Sequence, residues 1–312
     1  MSNAVIKVQS SVIEKMKQHY SSSLTNKIPP GGLFVAKLSN CTVTAYKSGK
    51  VLFQGSDSIL ESSKWSTQTK GDKVTKSSAK PKPQTIYSPP DNIATLSIIG
   101  SDEVGTGDYF GPMTVVAAYV SKQNLSLLRE LGVKDSKNLT DTQIAVIAKQ
   151  VIKAIPYSLL ILHNEKYNDL QESGMSQGKI KALLHNQALI NVLEKIKPEK
   201  PDGILIDQFA EPGVYYRYLA GQSVPNENVY FSTKAEGVHL AVAAASIVAR
   251  YAFVKEFEKL SVRAGIDIPK GAGSKVDLAA ATLIKKHGVA ALRSFTKLHF
   301  ANTDKAKALV KK

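Results

Sequence analysis

Residues 98–112 read Ile98-Ile99-Gly100-Ser101-Asp102-Glu103-Val104-Gly105-Thr106-Gly107-Asp108-Tyr109-Phe110-Gly111-Pro112. The apolar run before Asp102 predicts a buried strand, and the glycines and proline after Glu103 predict that the strand ends in a turn. Two adjacent carboxylates at the end of a buried strand need a basic partner or a cation, because an unpaired buried charge is costly. The stretch therefore indicates a metal site, with a solvated acidic loop as the alternative.

The glycines of this turn favour the metal site over the plain loop. Gly105 and Gly107 lack the Cβ atoms that would obstruct a close approach, so a ligand backbone is able to lie beside the acids. A dinucleotide-binding turn is not indicated. The spacing is G-x-G-x-x-x-G, and the apolar run Val115–Val120 continues as a strand instead of opening a helix.

Composition limits the class of protein. The 312 residues carry 41 Lys and Arg against 26 Asp and Glu, and the net charge of +15 favours a polyanionic partner, either nucleic acid or an anionic membrane surface. Residues 1–85 contain 13 lysines and four acids, so this denser polycation favours nucleic acid. We expect neither a transmembrane helix nor a signal peptide, and the single Cys41 excludes an intrachain disulfide. We therefore expect a soluble protein in a reducing cytoplasm.

The chain divides into three predicted segments. Residues 1–65 predict a small α+β domain, because an amphipathic helix over residues 10–20 precedes three strand-like runs and a helix over residues 57–64. Residues 66–90 are rich in Ser, Thr, Lys, Gln and Pro and predict a linker, with an ordered extension as the alternative. Residues 91–312 alternate strands with helices and predict a mixed α/β sheet.

The predicted elements can be stated as residue ranges. The strands expected in the N-terminal segment are Leu33–Leu38, Cys41–Tyr46 and Lys50–Gln54. Those expected in the C-terminal segment are Thr95–Glu103, Pro112–Val120, Tyr157–His163, Gly203–Asp207 and Val229–Phe231. The helices expected there are Leu125–Leu131, Asp141–Ala154, Ser176–Ile196 and Ala235–Leu260, with two more near the C-terminus.

Two further acids also come at the ends of elements. Asp207 ends a short apolar run, the position where open α/β sheets place ligand-binding groups, although a turn or helix cap is an equal alternative. Glu236 follows a strand and lies three residues after Thr233, which is also the spacing of a helix capping box. Together with Asp102 and Glu103 they form an all-carboxylate set that suits Mg²⁺ or Mn²⁺. In a basic protein this set indicates two-cation phosphodiester hydrolysis.

Four motifs closely resemble those of the bacterial ribonuclease HIII family. They are Asp102–Pro112, Lys134-Asp135-Ser136-Lys137, Leu205-Ile206-Asp207-Gln208-Phe209, and Thr233-Lys234-Ala235-Glu236 followed by Ala243-Ala244-Ala245-Ser246-Ile247. In addition, Thr42–Val51 is similar to the TATA-binding-protein-like substrate-binding domain of that family. The resemblance covers nearly the whole chain.

The resemblance implies a ribonuclease H-like fold and endonucleolytic cutting of the RNA strand of RNA·DNA hybrids, leaving 5′-phosphate and 3′-hydroxyl ends. It gives the metal-binding, catalytic positions to Asp102, Glu103, Asp207 and Glu236. The sister ribonuclease HII family has a Gly-Arg-Gly turn and an Asp where this chain has Gly105-Thr106-Gly107 and Glu236. Both differences match the HIII pattern and do not favour efficient cutting beside a single embedded ribonucleotide.

Candidate substrate contacts follow from the chemistry of a hybrid duplex. Backbone groups of Gly105, Thr106 and Gly107 are suited to contact a 2′-hydroxyl. Phosphate contacts are expected from Lys134, Ser136, Lys137 and the loop Lys270–Lys275. The small sheet is expected to present Phe34, Thr42, Thr44, Tyr46, Lys47, Lys50 and Phe53, although strand alternation places about half of such a set in the core.

Two residues near Glu236 have open roles. His239 either tunes Glu236 or is a structural histidine. Lys234 either pairs with an acid of the site or faces solvent.

These observations predict a two-domain ribonuclease HIII-like endonuclease that uses Mg²⁺, with Mn²⁺ as a substitute. Its partner is an RNA·DNA hybrid, without a membrane or an obligate protein partner, and we expect a monomer. Two alternatives stay open. One is a non-catalytic hybrid-binding protein, against which the four intact carboxylates argue. The other is a Mg²⁺-dependent resolvase or transposase-type nuclease on the same fold, which would cut DNA.

Overall fold

The computed structural model describes residues 3–66 and 85–311. The chain splits into two compact units, Met1–Pro83 and Gln84–Lys312. None of the helices in the described ranges is both long and apolar enough to cross a membrane.

The predicted linker of residues 66–90 falls largely on residues 67–84, which lie outside the described ranges. Its last residues differ from the prediction. The carbonyl of Tyr87 accepts the backbone N–H of Phe231 at 2.9 Å, and the Tyr87 ring packs against Phe231 and Tyr216. Aromatic burial therefore joins this end of the segment to the larger unit.

The smaller unit is a four-stranded antiparallel sheet with two helices. In chain order it contains β1 (Asn3–Lys7), α1 (Ser10–His19), β2 (Gly32–Lys37), β3 (Thr42–Tyr46), β4 (Lys50–Gln54) and α2 (Ser58–Ser66). The strand order is β1-β4-β3-β2. The predicted α+β class is confirmed, but β1 was not predicted. Its apolar run is short, and it becomes a strand by pairing along β4.

One face of this small sheet is covered and the other is open. The covered face carries the core residues Phe34, Ala36, Val43, Ala45, Val51 and Phe53, which pack with α1. Phe34 and Phe53 are 2% and 0% exposed, so their prediction as nucleic-acid contacts is wrong, because strand alternation turns them inward. The open face carries Lys7, Thr42, Thr44, Tyr46 and Lys50. Thr44 on this face is only 6% exposed.

The larger unit contains five strands and nine helices within residues 85–311. The strands are β5 (Ile98–Val104), β6 (Met113–Val120), β7 (Tyr157–Leu162), β8 (Gly203–Asp207) and β9 (Val229–Ser232). The helices are α3 (Leu125–Glu130), α4 (Asp141–Ala154), α5 (Asn164–Glu172), α6 (Gln177–Ile196), α7 (Pro212–Tyr218), α8 (Leu240–Ala264), α9 (Ser274–His287), α10 (Leu292–Phe295) and α11 (Asn302–Val310).

The sheet of the larger unit is mixed, as predicted. Its strand order is β7-β6-β5-β8-β9. The strands β5, β6 and β7 pair antiparallel, whereas β5, β8 and β9 pair parallel. Helices α4 and α8 pack on one face and α6 packs on the other. The carboxyl ends of β5, β8 and β9 therefore lie at the same edge of the sheet.

Two predicted ranges and two unpredicted helices are the main differences between the prediction and the structure. The strand expected from Thr95 begins at Ile98, because Ile93–Thr95 forms a 3₁₀ turn. The helix expected over Ala235–Leu260 consists of a 3₁₀ turn followed by α8. Helices α5 and α7 were not predicted, since α5 buries polar side chains and α7 is short.

Strand β5 and helix α8 touch backbone to backbone. A Cβ atom added at Gly100 would lie 2.3 Å from the backbone nitrogen of Val242. The small side chains of Ala241–Ala245 permit this approach along the helix. The helix is thereby fixed on the strand that carries the first acidic pair.

Candidate active site

Two aspartates lie beside each other at the edge where the parallel strands end. In the register of β5 with β8, Ser101 is opposite Ile206. The next residue along each strand is Asp102 and Asp207, respectively, so the two side chains project from the same face of strands about 4.8 Å apart. The structure thus brings together two carboxylates that are remote in sequence.

Burial and mutual repulsion act on these two aspartates. Burial raises the pKa of Asp102, and the charges of Glu103 and Asp207 raise it further. Burial also raises the pKa of Asp207, as do the charges of Glu103 and Glu236, although the N–H of Ala235 donates to its Oδ1 at 2.8 Å. Carboxylates placed in this way are stabilised by a cation, which reverses the sign of the local field.

Glu103 points to the opposite face of the sheet, because successive side chains of a strand alternate. Its Oε1 accepts from Nζ of Lys181 at 2.9 Å, and its Oε2 lies 3.0 Å from Nε2 of His185. The other ring nitrogen of His185 lies 2.9 Å from the hydroxyl of Ser101. Burial acts to raise the pKa of Glu103, but His185 and Lys181 outweigh burial and lower it. Helix α6 therefore holds Glu103 ionised.

Glu236 reaches the site from a turn and not from a helix. The 3₁₀ turn Ala235–Gly237 follows Lys234, which is exposed and has a left-handed φ of 58°. Helix α8 is capped instead by His239, whose Nδ1 accepts the N–H of Ala241 at 2.9 Å. The capping-box alternative for Glu236 is therefore wrong.

His239 has a structural role. Its Nε2 lies 3.2 Å from the carbonyl of Leu96, and burial lowers its pKa to about 4. Because one ring nitrogen accepts and the other donates, the imidazole is neutral and ties the start of α8 to the segment before β5.

The carboxylate of Glu236 is held by the motif Lys134–Lys137. Ser136 donates its backbone N–H at 3.0 Å and its hydroxyl at 2.8 Å to Oε2, and Nζ of Lys137 lies 2.8 Å from Oε1. Burial acts to raise the pKa of Glu236, but these donors outweigh burial and lower it. Ser136 thus differs from the expectation of a phosphate contact, because both of its donors face Glu236. Lys134 is exposed.

Helix α8 connects this motif with the first acidic pair. The hydroxyl of Ser246 lies 2.9 Å from that of Ser136 and also bonds to Asp102. One turn further along the helix, Arg250 donates to the carbonyl of Ser136 at 2.6 Å and to Asp141 at 2.9 Å. The loop that holds Glu236 is therefore anchored on the same helix that packs against β5.

The glycines of the predicted turn have different roles. Gly105 has a φ of +95°, and an added Cβ would lie 2.3 Å from the carbonyl oxygen of Pro112, so packing within the chain requires this glycine. Gly107 is exposed, and an added Cβ would have no atom within 4 Å. The carbonyl of Thr106 between them accepts from Gln177 at 3.2 Å. The open space beside the turn is at Gly107.

The basic loop Lys270–Lys275 lies against the second half of this turn. The N–H of Gly271 donates to Oδ1 of Asp108 at 2.6 Å, and its carbonyl accepts the N–H of Tyr109 at 2.9 Å. Lys270 forms an ion pair with Asp141 at 2.7 Å. The structure thus joins two segments that were predicted separately as substrate contacts.

Comparison with known proteins agrees with this geometry. A family model described as Ribonuclease HII matches residues 99–303, and one described as a domain of unknown function (DUF3378) matches residues 3–79. Ribonuclease HIII of Bacillus subtilis (strain 168) is 61% identical over 312 residues, which are 100% of this chain and 99% of the relative. The chain belongs to the ribonuclease HIII family. Ribonuclease HIII of Bacillus mycoides (strain KBAB4) is 60% identical and covers 100% of both chains.

A solved structure extends this assignment to the fold. Bst-RNase HIII in complex with Mn²⁺ is 44% identical, covers 99% of both chains and gives a TM-score of 0.70. The ribonuclease H-like fold predicted from the sequence is therefore confirmed. As a member of the ribonuclease HIII family, the chain is an endonuclease of the ribonuclease H type.

The residues fit a divalent cation of the kind seen in that family. Asp102, Glu103, Asp207 and Glu236 offer hard oxygen ligands without a thiolate. As arranged, no three His, Cys, Asp or Glu side chains within the described ranges are grouped closely enough to hold an ion. Glu103 and Glu236 are turned towards their lysine partners. Binding by all four carboxylates would exchange these lysine contacts for metal contacts.

The sequence analysis did not identify several residues that contact the carboxylates directly or through Ser136. They are Lys181, His185, Ser246 and Arg250. Their spacing in the sequence gives a weak signal, because the four residues form two pairs. Lys181 and His185 are four residues apart and so share one face of a helix, and Ser246 and Arg250, with the same spacing, interrupt the apolar face of α8.

Proposed function

We propose that this ribonuclease HIII family member hydrolyses the RNA strand of RNA·DNA hybrids internally, leaving 5′-phosphate and 3′-hydroxyl ends. The observation that carries the proposal is the neighbouring pair Asp102 and Asp207, whose pKa values are raised by burial and by the other carboxylates. Binding of cations and a phosphodiester at this sheet edge would explain why a basic protein has buried carboxylates that repel one another there.

In this proposal the four carboxylates hold two divalent cations. Asp102 and Asp207 supply ligands from the sheet edge, and Glu103 and Glu236 supply them from either side. Mg²⁺ is the ion that we propose, with Mn²⁺ as a substitute. Cations bound there supply an activated water and stabilise the departing 3′-oxygen.

The basic residues around the carboxylates have a second role in the proposal. Lys137 is exposed and bonds to Glu236, while Lys181 is largely enclosed and bonds to Glu103. If cations bound the carboxylates, Lys137 would be free to contact a phosphate of the hybrid. Ser136, in contrast, stays directed at Glu236 and orients it.

RNA is distinguished from DNA by its 2′-hydroxyl. We assign this contact to the backbone of Gly105, Thr106 and Gly107. The exposed Gly107 supports the assignment, because the space beside it is open. Lys134 and the loop Lys270–Lys275 contact phosphates beside it in this arrangement.

The open face of the small sheet is the proposed second substrate contact. Lys7 and Lys50 are opposite each other in the register of β1 with β4, and both are exposed. Two like charges placed opposite each other are unfavourable without an anion between them. Thr42 and Tyr46 lie on the same face, and the exposed Lys47 follows β3.

The protein acts in this proposal as a monomer in the cytoplasm.

A cleavage assay with labelled duplexes tests the proposal. The full-length protein is incubated with an RNA·DNA hybrid, a DNA duplex holding a single ribonucleotide, and an all-DNA duplex, with Mg²⁺ and Mn²⁺ in turn. We expect internal cuts in the RNA strand of the hybrid, inefficient cutting of the duplex that holds a single ribonucleotide, and no cutting of the all-DNA duplex. Cutting of the all-DNA duplex would favour a resolvase-type nuclease, and binding without cutting would favour a hybrid-binding protein.

A further inference from the structure

Lys297 is a fully buried lysine outside the motifs described above. Its side chain is 0% exposed, and its Nζ donates to the carbonyl of Asp108 at 2.8 Å and to that of Gly111 at 2.6 Å. Burial of an amine is unfavourable unless its hydrogen bonds are satisfied. The two carbonyls that it binds belong to the second half of the glycine turn.

The segment around Lys297 pairs directly with this turn. Phe110 and Thr296 form an antiparallel bridge, and the backbone N–H of Lys297 donates to the carbonyl of Tyr109 at 2.8 Å. Main-chain and side-chain donors of the same residue therefore hold neighbouring carbonyls of the turn.

Helix α5 reinforces the contact from a second side. Asn164, which is 3% exposed, donates to the carbonyl of Gly111 at 2.9 Å. Asn168, one turn later, donates to the carbonyl of Thr296 at 2.9 Å. Helix α5 therefore forms hydrogen bonds to both the turn and the segment that carries Lys297.

Asp108 connects this assembly with the basic loop. Its carbonyl accepts from Lys297, its side chain accepts the N–H of Gly271, and its own N–H donates to the carbonyl of Gly105 at 3.4 Å. A continuous set of hydrogen bonds therefore runs from Lys297 through Asp108 to both proposed substrate contacts.

We infer that Lys297 is a positioning residue that fixes the glycine turn and the loop Lys270–Lys275 at one spacing, so that both meet the RNA strand together. The inference rests on the proposed function, which makes these two segments substrate contacts. Lys297 acts through Asp108 and Gly111, because its own side chain has no access to solvent.

Amide hydrogen exchange of the free full-length protein tests the structural half of the inference. In Lys297→Met we expect exchange in residues 105–111 and 270–273 to be at least about tenfold faster than in the wild type, with α6 unchanged. Lys286→Met is the matched control, since Nζ of Lys286 also donates to a backbone carbonyl, that of Gly265, at 2.9 Å. Unchanged exchange of the turn in Lys297→Met would overturn the inference.

Steady-state kinetics on the hybrid test the functional half. We expect Lys297→Met to raise KM about 10- to 100-fold and to change kcat much less, because the carboxylates keep their contacts. Asn164→Ala, which removes one of two donors to Gly111, is expected to act in the same direction and serves if Lys297→Met does not fold.

Leu128→Ala is the control for lost stability, since Leu128 is fully buried in the core against α4 and α8. A comparable rise of KM in Leu128→Ala, or a fall of kcat at constant KM in Lys297→Met, would overturn the inference. Absence of hybrid cleavage by the wild type would instead overturn the proposed function. The exchange experiment would still decide whether Lys297 fixes the turn.

Discussion

Asp102 and Asp207 occupy neighbouring positions at the ends of two parallel strands, one residue beyond the pair Ser101 and Ile206. Burial and the surrounding carboxylates raise the pKa of both. This relationship explains why the carboxylates of the site repel one another and why we expect a divalent cation to stabilise them.

Asp102→Asn is expected to reduce hybrid cleavage at least about 100-fold, because it removes a proposed metal ligand from the least exposed position of the site. Hybrid affinity should change little, since binding depends on basic and backbone groups. Cleavage rates and Kd measured on the same preparation check this. Glu14→Gln, on the exposed side of α1, is the control, and full activity of Asp102→Asn would refute the assignment.

Divalent cations are expected to raise the melting temperature of the wild type, because they bind the folded state only. In their absence Asp102→Asn should be at least as stable as the wild type at neutral pH, since the substitution removes a carboxyl group whose folded-state pKa is raised. The added ions should stabilise this variant less. Differential scanning calorimetry with and without Mn²⁺ measures both effects, and equal shifts in the two proteins would contradict the prediction.

Gly105→Ala is expected to destabilise the larger unit by about 1–3 kcal/mol, because its φ of +95° and the Pro112 carbonyl oppose a Cβ atom. Gly107→Ala should leave the stability nearly unchanged, since the space around it is open. It should instead raise KM for the hybrid if the turn contacts the RNA strand. Urea unfolding of both variants, together with their kinetics, separates the two roles.

Lys7→Gln and Lys50→Gln are each expected to lower the salt dependence of hybrid affinity by about 0.9 in the slope of log K against log salt concentration. Both lysines are on the open face of the small sheet. Lys15→Gln is the control, because Lys15 is exposed on α1, which packs on the other face. An equal effect of Lys15→Gln would mean that the open face is not the contact.

The pH dependence of stability should report on Lys297. Burial lowers the pKa of Lys297 to about 7, whereas the pKa of a lysine in the unfolded chain is about 10.4. As the pH rises, the folded state therefore loses this proton first, and the stability increases with pH between these two values. The stability of the wild type relative to Lys297→Met is therefore expected to increase between about pH 6.5 and about pH 9. Thermal unfolding of both proteins across this range measures it. A difference that stays flat or falls would contradict the prediction.

Strong local patterns predicted most of the larger unit. The ranges Asp141–Ala154 and Gly203–Asp207 match the structure because a capping box begins the helix and a Pro-Asp-Gly turn precedes the strand. Strand β1 and helix α5 escaped prediction. The first depends on pairing with β4, and the second is held by the buried Asn164 and Asn168, whose partners are remote in sequence.

The four carboxylates could be named from the sequence because each interrupts or follows an apolar run. Their partners could not be named, since Lys181 and Ser136 are assigned to Glu103 and Glu236 only by the fold. The position of Glu236 shows the limit of local reasoning. Its spacing from Thr233 fits a cap equally well, and the left-handed Lys234 decides against it.

The direct contact of Gly100 with the backbone of α8 affects how the helix is positioned on the sheet. The nearest atoms on the helix are backbone atoms and not a flexible side chain, so the methyl group of an alanine at position 100 would push the helix away from the strand. Because α8 also carries Ser246 and Arg250, a displacement of the helix at this point would act on the residues that contact Asp102 and Ser136. The alignment of the carboxylates therefore depends on the close backbone contact at Gly100, which is not itself part of the site.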